Sequence, residues 1–78
     1  MVHRKSYPVE NNCEIAITNE RLPDGWAVVA SVKHYTPGAE RIIDLPVPSE
    51  RFETEQEAEA FGLGLAREYI DRNMPHGA

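Results

Sequence analysis

Nucleophilic catalysis needs a nucleophile, a base and a group that orients the base. This chain offers one pairing for it, Cys13 with His34. Strand alternation can put both side chains on one face of neighbouring strands. A buried cysteine is more often a small apolar filler with an unactivated thiol, and no glycine-rich elbow or oxyanion loop accompanies it. The histidines, His3, His34 and His76, show no HxH, HxxxH or HExxH spacing, the patterns that bring imidazoles together around zinc. A single cysteine excludes an internal disulfide and a cysteine-based metal site. Carboxylates crowd Glu53, Glu55, Glu57 and Glu59. Successive odd positions on a helix stand about 200° apart, so the spacing predicts a solvated, dipole-matched helix start rather than acids converging on a substrate. Gly62-Leu63-Gly64 falls inside the helical stretch with no strand before it and is no phosphate loop. No catalytic residue, metal or cofactor is expected, and the chain is read as not an enzyme.

The elements that would carry any site follow from periodicity. Cys13, Ile15 and Ile17 alternate with Glu14, Ala16 and Thr18, the pattern of a half-buried strand. Pro23-Asp24-Gly25 supplies a turn. From Trp26 to Tyr35 one face carries Trp26, Val28, Ala30, Val32 and His34, and the other carries Ala27, Val29, Ser31, Lys33 and Tyr35. Thr36-Pro37-Gly38-Ala39 favours a type II turn. A third strand is expected over 40–47, with Arg41, Ile43, Leu45 and Val47 facing one way and Ile42 and Asp44 the other. Pro46 and Pro48 cannot donate ladder hydrogen bonds, which assigns it to a sheet edge. The short connections favour an antiparallel meander with the tryptophan strand in the middle.

Thr54-Glu55-Gln56-Glu57 is a capping box that starts a helix. Glutamates crowd its first turns, and Arg67 and Arg72 lie toward its end, as the macrodipole favours. Ala58, Phe61, Gly62, Leu65, Ala66 and Tyr69 share one stripe, flanked by Leu63 and Ile70. Gly62 lies in the stripe and allows a close approach to the sheet. Gly64 points away, at about 1 kcal/mol relative to alanine. The fold class is α+β, a three-stranded antiparallel meander with one C-terminal amphipathic helix packed on one face (β-β-β-α). Residues 1–11 are expected to be a flexible N-terminal arm, 12–73 a single domain and 74–78 a disordered tail with Pro75 and Gly77 as stop signals.

With 78 residues the chain has room for one small domain. Its 8 basic and 13 acidic residues give a net charge of −5, which weighs against nucleic acid and anionic membranes, partners that need clustered Lys and Arg. Basic residues open the chain but no apolar stretch follows them, and no run approaches the roughly 20 apolar residues of a membrane span. The lone thiol suits a reducing compartment, so the expected location is cytoplasmic.

One helix cannot cover both faces of the sheet. Trp26, Val28, Val32, Ile15, Ile17, Ile43 and Leu45 are expected beneath it. Ala16, Val29, Ser31, Lys33, Tyr35 and Ile42 are then left on the open face as a candidate interaction surface, suited to a protein partner or to self-association as a homodimer. Lys33 and Tyr35, with an arm carrying His3, Arg4, Lys5 and Tyr7, form the alternative nucleic-acid reading. Glu14 and Asp44 on the same face oppose it, and no RNP-like aromatic pair is present.

From Phe52 to Asp71 the chain reads F-E-T-E-Q-E-A-E-A-F-G-L-G-L-A-R-E-Y-I-D, preceded by the strand Gly25-Trp26-Ala27-Val28-Val29. It resembles a group of small bacterial proteins of unknown function that share a W-x-V strand, an F-x-T-x-x-E-A helix start and an A-R-x-[WY]-I-D helix end. The resemblance covers most of 25–71 and implies a fold and a bacterial origin but no activity. A weaker likeness is to HicB-type antitoxin domains, in which a sheet precedes a T-x-x-E-A helix. The glycine-rich turn usual before that threonine is not present here. The expected function is a non-catalytic protein-interaction module, with a HicB-like antitoxin or nucleic-acid-binding module as the alternative.

Overall fold

Tight turns set the topology. Leu22 pairs with Gly25 across the two-residue corner Pro23-Asp24, and Thr36 pairs with Ala39 across Pro37-Gly38. Gly38 has φ +80°, the left-handed value that the third position of a type II turn requires. In the computed structural model, which describes residues 2–10, 12–46 and 48–73, these corners join β2 (Cys13–Leu22), β3 (Gly25–Thr36) and β4 (Ala39–Asp44), and β1 (Val2–Val9) completes one antiparallel sheet of order β1-β2-β3-β4. The helix α1 (Glu55–Asn73) follows. Residues 74–78, expected as a tail, lie outside the described residues.

The sheet has four strands, not the three expected from periodicity. Val2–Val9, read as part of an arm, pairs with β2 along its whole length, from Val2 opposite Glu20 to Val9 opposite Cys13. Its alternation is hard to see because the helix-facing positions hold His3, Lys5, Tyr7 and Val9. Long amphipathic side chains there replace the apolar residues that usually mark a strand. β4 is an edge strand as expected, but its ladder ends at Asp44 rather than 47. Leu45 N–H still donates to Ala30 C=O at 3.1 Å, and Pro46, which has no N–H, follows at once. Val47 lies outside the described residues. Beyond the reach of β4, the chain returns to close the edge of β3. Trp26 and Phe52 exchange two backbone hydrogen bonds of 2.8 and 2.9 Å. Gly25, at φ +133°, is needed beneath that crossing, because a Cβ there would stand 2.8 Å from the Phe52 carbonyl oxygen.

The helix packs on β2 and β3. Thr54 caps it: the Glu57 N–H donates to Thr54 Oγ1 at 3.2 Å, and the Thr54 hydroxyl donates to the Glu57 carboxylate at 3.2 Å. Its buried line is Ala58, Gly62, Ala66 and Ile70, one residue every four. Ile70, expected at the flank, therefore sits at the centre, while Phe61, Leu65 and Tyr69 are half-buried beside it. Small side chains let the helix settle onto Ile15, Ile17, Val28, Ala30 and Val32, all buried. A Cβ on Gly62 would lie 2.8 Å from Val28 Cγ2 and 3.1 Å from Ile17 Cδ1. The result is two layers, with a smallest extent of only 17 Å. No second element covers the far side of the sheet among the described residues.

Candidate functional site

Register puts all six candidate surface residues on the side of the sheet away from α1. Ala16 is opposite Ser31, Thr18 opposite Val29, Glu14 opposite Lys33, and Lys33 opposite Ile42. Tyr35 lies one pair further along, opposite Glu40. β1 adds Val2, Arg4, Ser6 and Pro8 to this face, and Ser6 pairs with Ala16 and Arg4 with Thr18. The centre is therefore a row of small residues, Ser6-Ala16-Ser31-Asp44, flanked by Pro8-Glu14-Lys33-Ile42 on one side and Arg4-Thr18-Val29 on the other. Lys33 Nζ stands 3.7 Å from Glu14 Oε2. Val29, Tyr35 and Ile42 are exposed. The Tyr35 phenol is pushed above its usual range by desolvation and by the nearby Glu14 and Glu40 carboxylates.

On the other side of the sheet lies a polar cluster that periodicity alone did not assemble. β1 turns His3, Lys5 and Tyr7 toward the start of α1. His3 Nδ1 is 2.7 Å from Glu55 Oε2, Lys5 Nζ is 2.9 Å from Glu59 Oε1, and the Tyr7 hydroxyl donates to Glu59 Oε2. Asn19, fully buried on β2, points its Nδ2 at both acids, 3.4 Å from Glu55 and 3.5 Å from Glu59. Its Oδ1 has no hydrogen-bond partner. The His3 ring also packs against Trp26, with centroids 5.9 Å apart. The glutamates do not all diverge, as successive odd positions suggested. Glu55 and Glu59 are four residues apart, about 40° around the helix, and converge on Asn19. That i, i+4 spacing, together with the period-two run His3, Lys5, Tyr7, was the available signal.

The convergence has an electrostatic consequence at Glu59. The hydrogen bond from Tyr7, then that from Lys5, holds the Glu59 carboxyl below the usual glutamate range. A carboxylate stabilised in this way is a poor proton acceptor. The same contacts raise Lys5 and Tyr7, which makes them poor proton donors. The geometry fastens an edge strand to a helix.

Cys13 lies directly opposite His34 in the β2–β3 ladder, as the alternation predicted. Burial pushes its thiol up, which disfavours the thiolate that a nucleophile needs. Among the described residues, no group of three or more His, Cys, Asp and Glu side chains is placed to hold a metal ion, and no helix is long and apolar enough to cross a membrane. His76 lies outside them. An open depression of about 300 Å³ lies between the end of β4 and the last turns of α1, lined by Leu45, Pro46, Leu65, Tyr69 and the Glu68–Arg72 pair. Set against family models, curated proteins and solved structures, the chain matches none of them.

Proposed function

We propose that this chain is a non-catalytic protein-interaction module that works through the open face of its sheet. The observation that carries the reading is the exposure of Val29 (41%), Tyr35 (40%) and Ile42 (58%) on the one broad face that α1 leaves bare. Arg4, Glu14, Lys33 and Asp44 interleave with these apolar groups, the mixture of apolar contact and polar rim found at interfaces between proteins. The acids of the opposite side are already engaged with β1, and burial disfavours the thiolate of the one cysteine, which leaves the open face as the surface with unspent contacts.

Native mass spectrometry of the gently purified protein, at low micromolar concentration, tests the reading. The expected spectrum contains the chain bound to a second protein molecule, whether a copy of itself or another chain. Val29→Lys and Ile42→Lys should each remove that species and leave the far-ultraviolet dichroism of the sheet and helix unchanged. Association that survives in both variants overturns the reading.

A further inference from the structure

We infer that the open face binds a second copy of this chain, related to the first by a two-fold axis running along the seam between β2 and β3. This rests on the reading of that face as an interface and adds its occupant. The register carries it. Glu14 on β2 and Lys33 on β3 are opposite one another, one on each side of the seam. Rotation about an axis parallel to the strands places β2 over the partner's β3 and β1 over the partner's β4, with each row kept level. Glu14 of one copy then faces Lys33 of the other, and Lys33 faces Glu14. The pair already present at 3.7 Å becomes a square of four alternating charges, and such a network is worth more than an isolated surface pair.

Neighbouring positions agree with the same operator. Ala16 meets Ser31, small on small, where two pleated faces come closest. Thr18 meets Val29, and Pro8 meets Ile42, which covers the most exposed large apolar side chain described. Ser6 meets Asp44, with Arg4 one row away. A two-fold axis across the strands instead sets Glu14 over Thr18 and Lys33 over Val29, which leaves both charges facing uncharged groups. Charge complementarity therefore selects one of the two in-plane axes. It also selects a copy of this chain, because the Glu14–Lys33 pair at the seam is its own complement. Two such sheets stacked about 10 Å apart make an aligned sandwich. Four strands about 4.8 Å apart and six or so residues long give roughly 400 Å² in projection. This is a small contact by the standard of about 800 Å² per partner, which places the dimer among weak, transient associations.

A double charge swap tests the proposal without disturbing the fold, since Glu14→Lys with Lys33→Glu keeps the pair within each chain. Isotope-labelled wild type and unlabelled swapped protein are mixed at about 50 µM and weighed by native mass spectrometry. Each should form homodimers, and the mixed dimer should be at least tenfold below its statistical share, because the lysine introduced at position 14 of the swapped chain would face Lys33 of wild type. Conversely, Glu14→Lys and Lys33→Glu as separate single variants should each be monomeric, and a dimer should return when the two are combined. A wild type that stays monomeric at this concentration overturns the proposal. So does free mixing of wild-type and swapped chains. If wild type is monomeric but Val29→Lys loses a bound cellular protein, the face is an interface and its occupant is not a second copy. If Val29→Lys, Ile42→Lys and the swap all leave association untouched, both readings fall.

Discussion

Glu59 accepts hydrogen bonds from Tyr7 and Asn19 and an ion-pair contact from Lys5, and its proton affinity is set by that company. Its carboxyl is held below the ordinary 4.5, so the folded state binds this proton more weakly than the unfolded chain. The contribution is therefore complete above about pH 4.5 and is lost as pH falls through the lowered value. Glu59→Gln should be less stable than wild type at pH 7, and thermal melts between about pH 5 and 2 should show that gap closing. Tyr7 gives the mirror case. Its phenol is raised above 10.0, so the gap between wild type and Tyr7→Phe should close as pH rises past that value. The two helix glycines make a second pair of opposites. Gly62→Ala gains about 1 kcal/mol of helix propensity but drives a Cβ to 2.8 Å from the branched, buried Val28, and overpacking of this kind costs about 1–3 kcal/mol. Urea unfolding should show a net loss. Gly64 has nothing within 4 Å of an added Cβ, so Gly64→Ala should raise stability by about 0.5–1 kcal/mol. The place of Gly62 against the sheet and the outward direction of Gly64 were legible, because a helical stripe alone tells which residue faces the sheet, but no reason for a glycine at 64 was. The Glu55–Glu59 convergence was missed, although their four-residue spacing carried the signal, and its partners could not be named without a strand to carry them.

That strand is the element the sequence concealed. β2, β3 and the helix announce themselves because water penalises their apolar faces, and periodicity records that penalty. β1 contributes no buried residue: five of its eight positions are exposed and the other three intermediate. It is held by the ladder to β2, by His3, Lys5 and Tyr7 reaching α1, and by the Arg67–Glu10 pair at 2.9 Å just past its end. An edge strand held by polar contacts opens more readily than one locked into the core. Amide hydrogen exchange should therefore be faster in β1 than in β2 and β3. Glu59→Ala should speed β1 further, by roughly tenfold for each 1.4 kcal/mol of docking lost, while the amides of Val28, Ala30 and Val32 keep their protection. Equal acceleration across all strands would mean that Glu59 supports the core at large rather than the docking of β1. Local chemistry was read correctly at the turns: Pro-Gly predicted the type II corner, and Thr54 the helix start. The end of β4 was misplaced by the alternation of Leu45 with Val47, which continues past the point where Pro46 breaks the ladder.

Charge distribution bears on the partner class at the scale of the whole molecule. The net charge is −5, and folding does not gather the positive charges into a compensating patch. His3 and Lys5, which as part of an arm could have met phosphates, are turned to the other side of the sheet, where Glu55 and Glu59 receive them. The open face keeps Arg4 and Lys33 among Glu14, Glu20, Glu40 and Asp44, so its described charges are predominantly negative and Lys33 is already beside Glu14. Tyr35 is the one aromatic side chain on that face among the described residues, whereas a single strand of nucleic acid is held by successive bases stacking on several. Each phosphate contact releases a counterion only where a cation is available to replace it. Fluorescence anisotropy with a labelled single-stranded oligonucleotide should accordingly show no complex at about 50 mM salt and about 100 µM protein, conditions that favour even non-specific binding. A complex that did form and weakened steeply with added salt would place the phosphates at Lys33 and Arg4, and Lys33→Gln would then reduce the salt slope by about one. In the proposed dimer the same face sets Glu14 opposite Lys33 on both sides of the axis, so a surface that is predominantly negative and repels a polyanion would still present matched charges to a copy of itself.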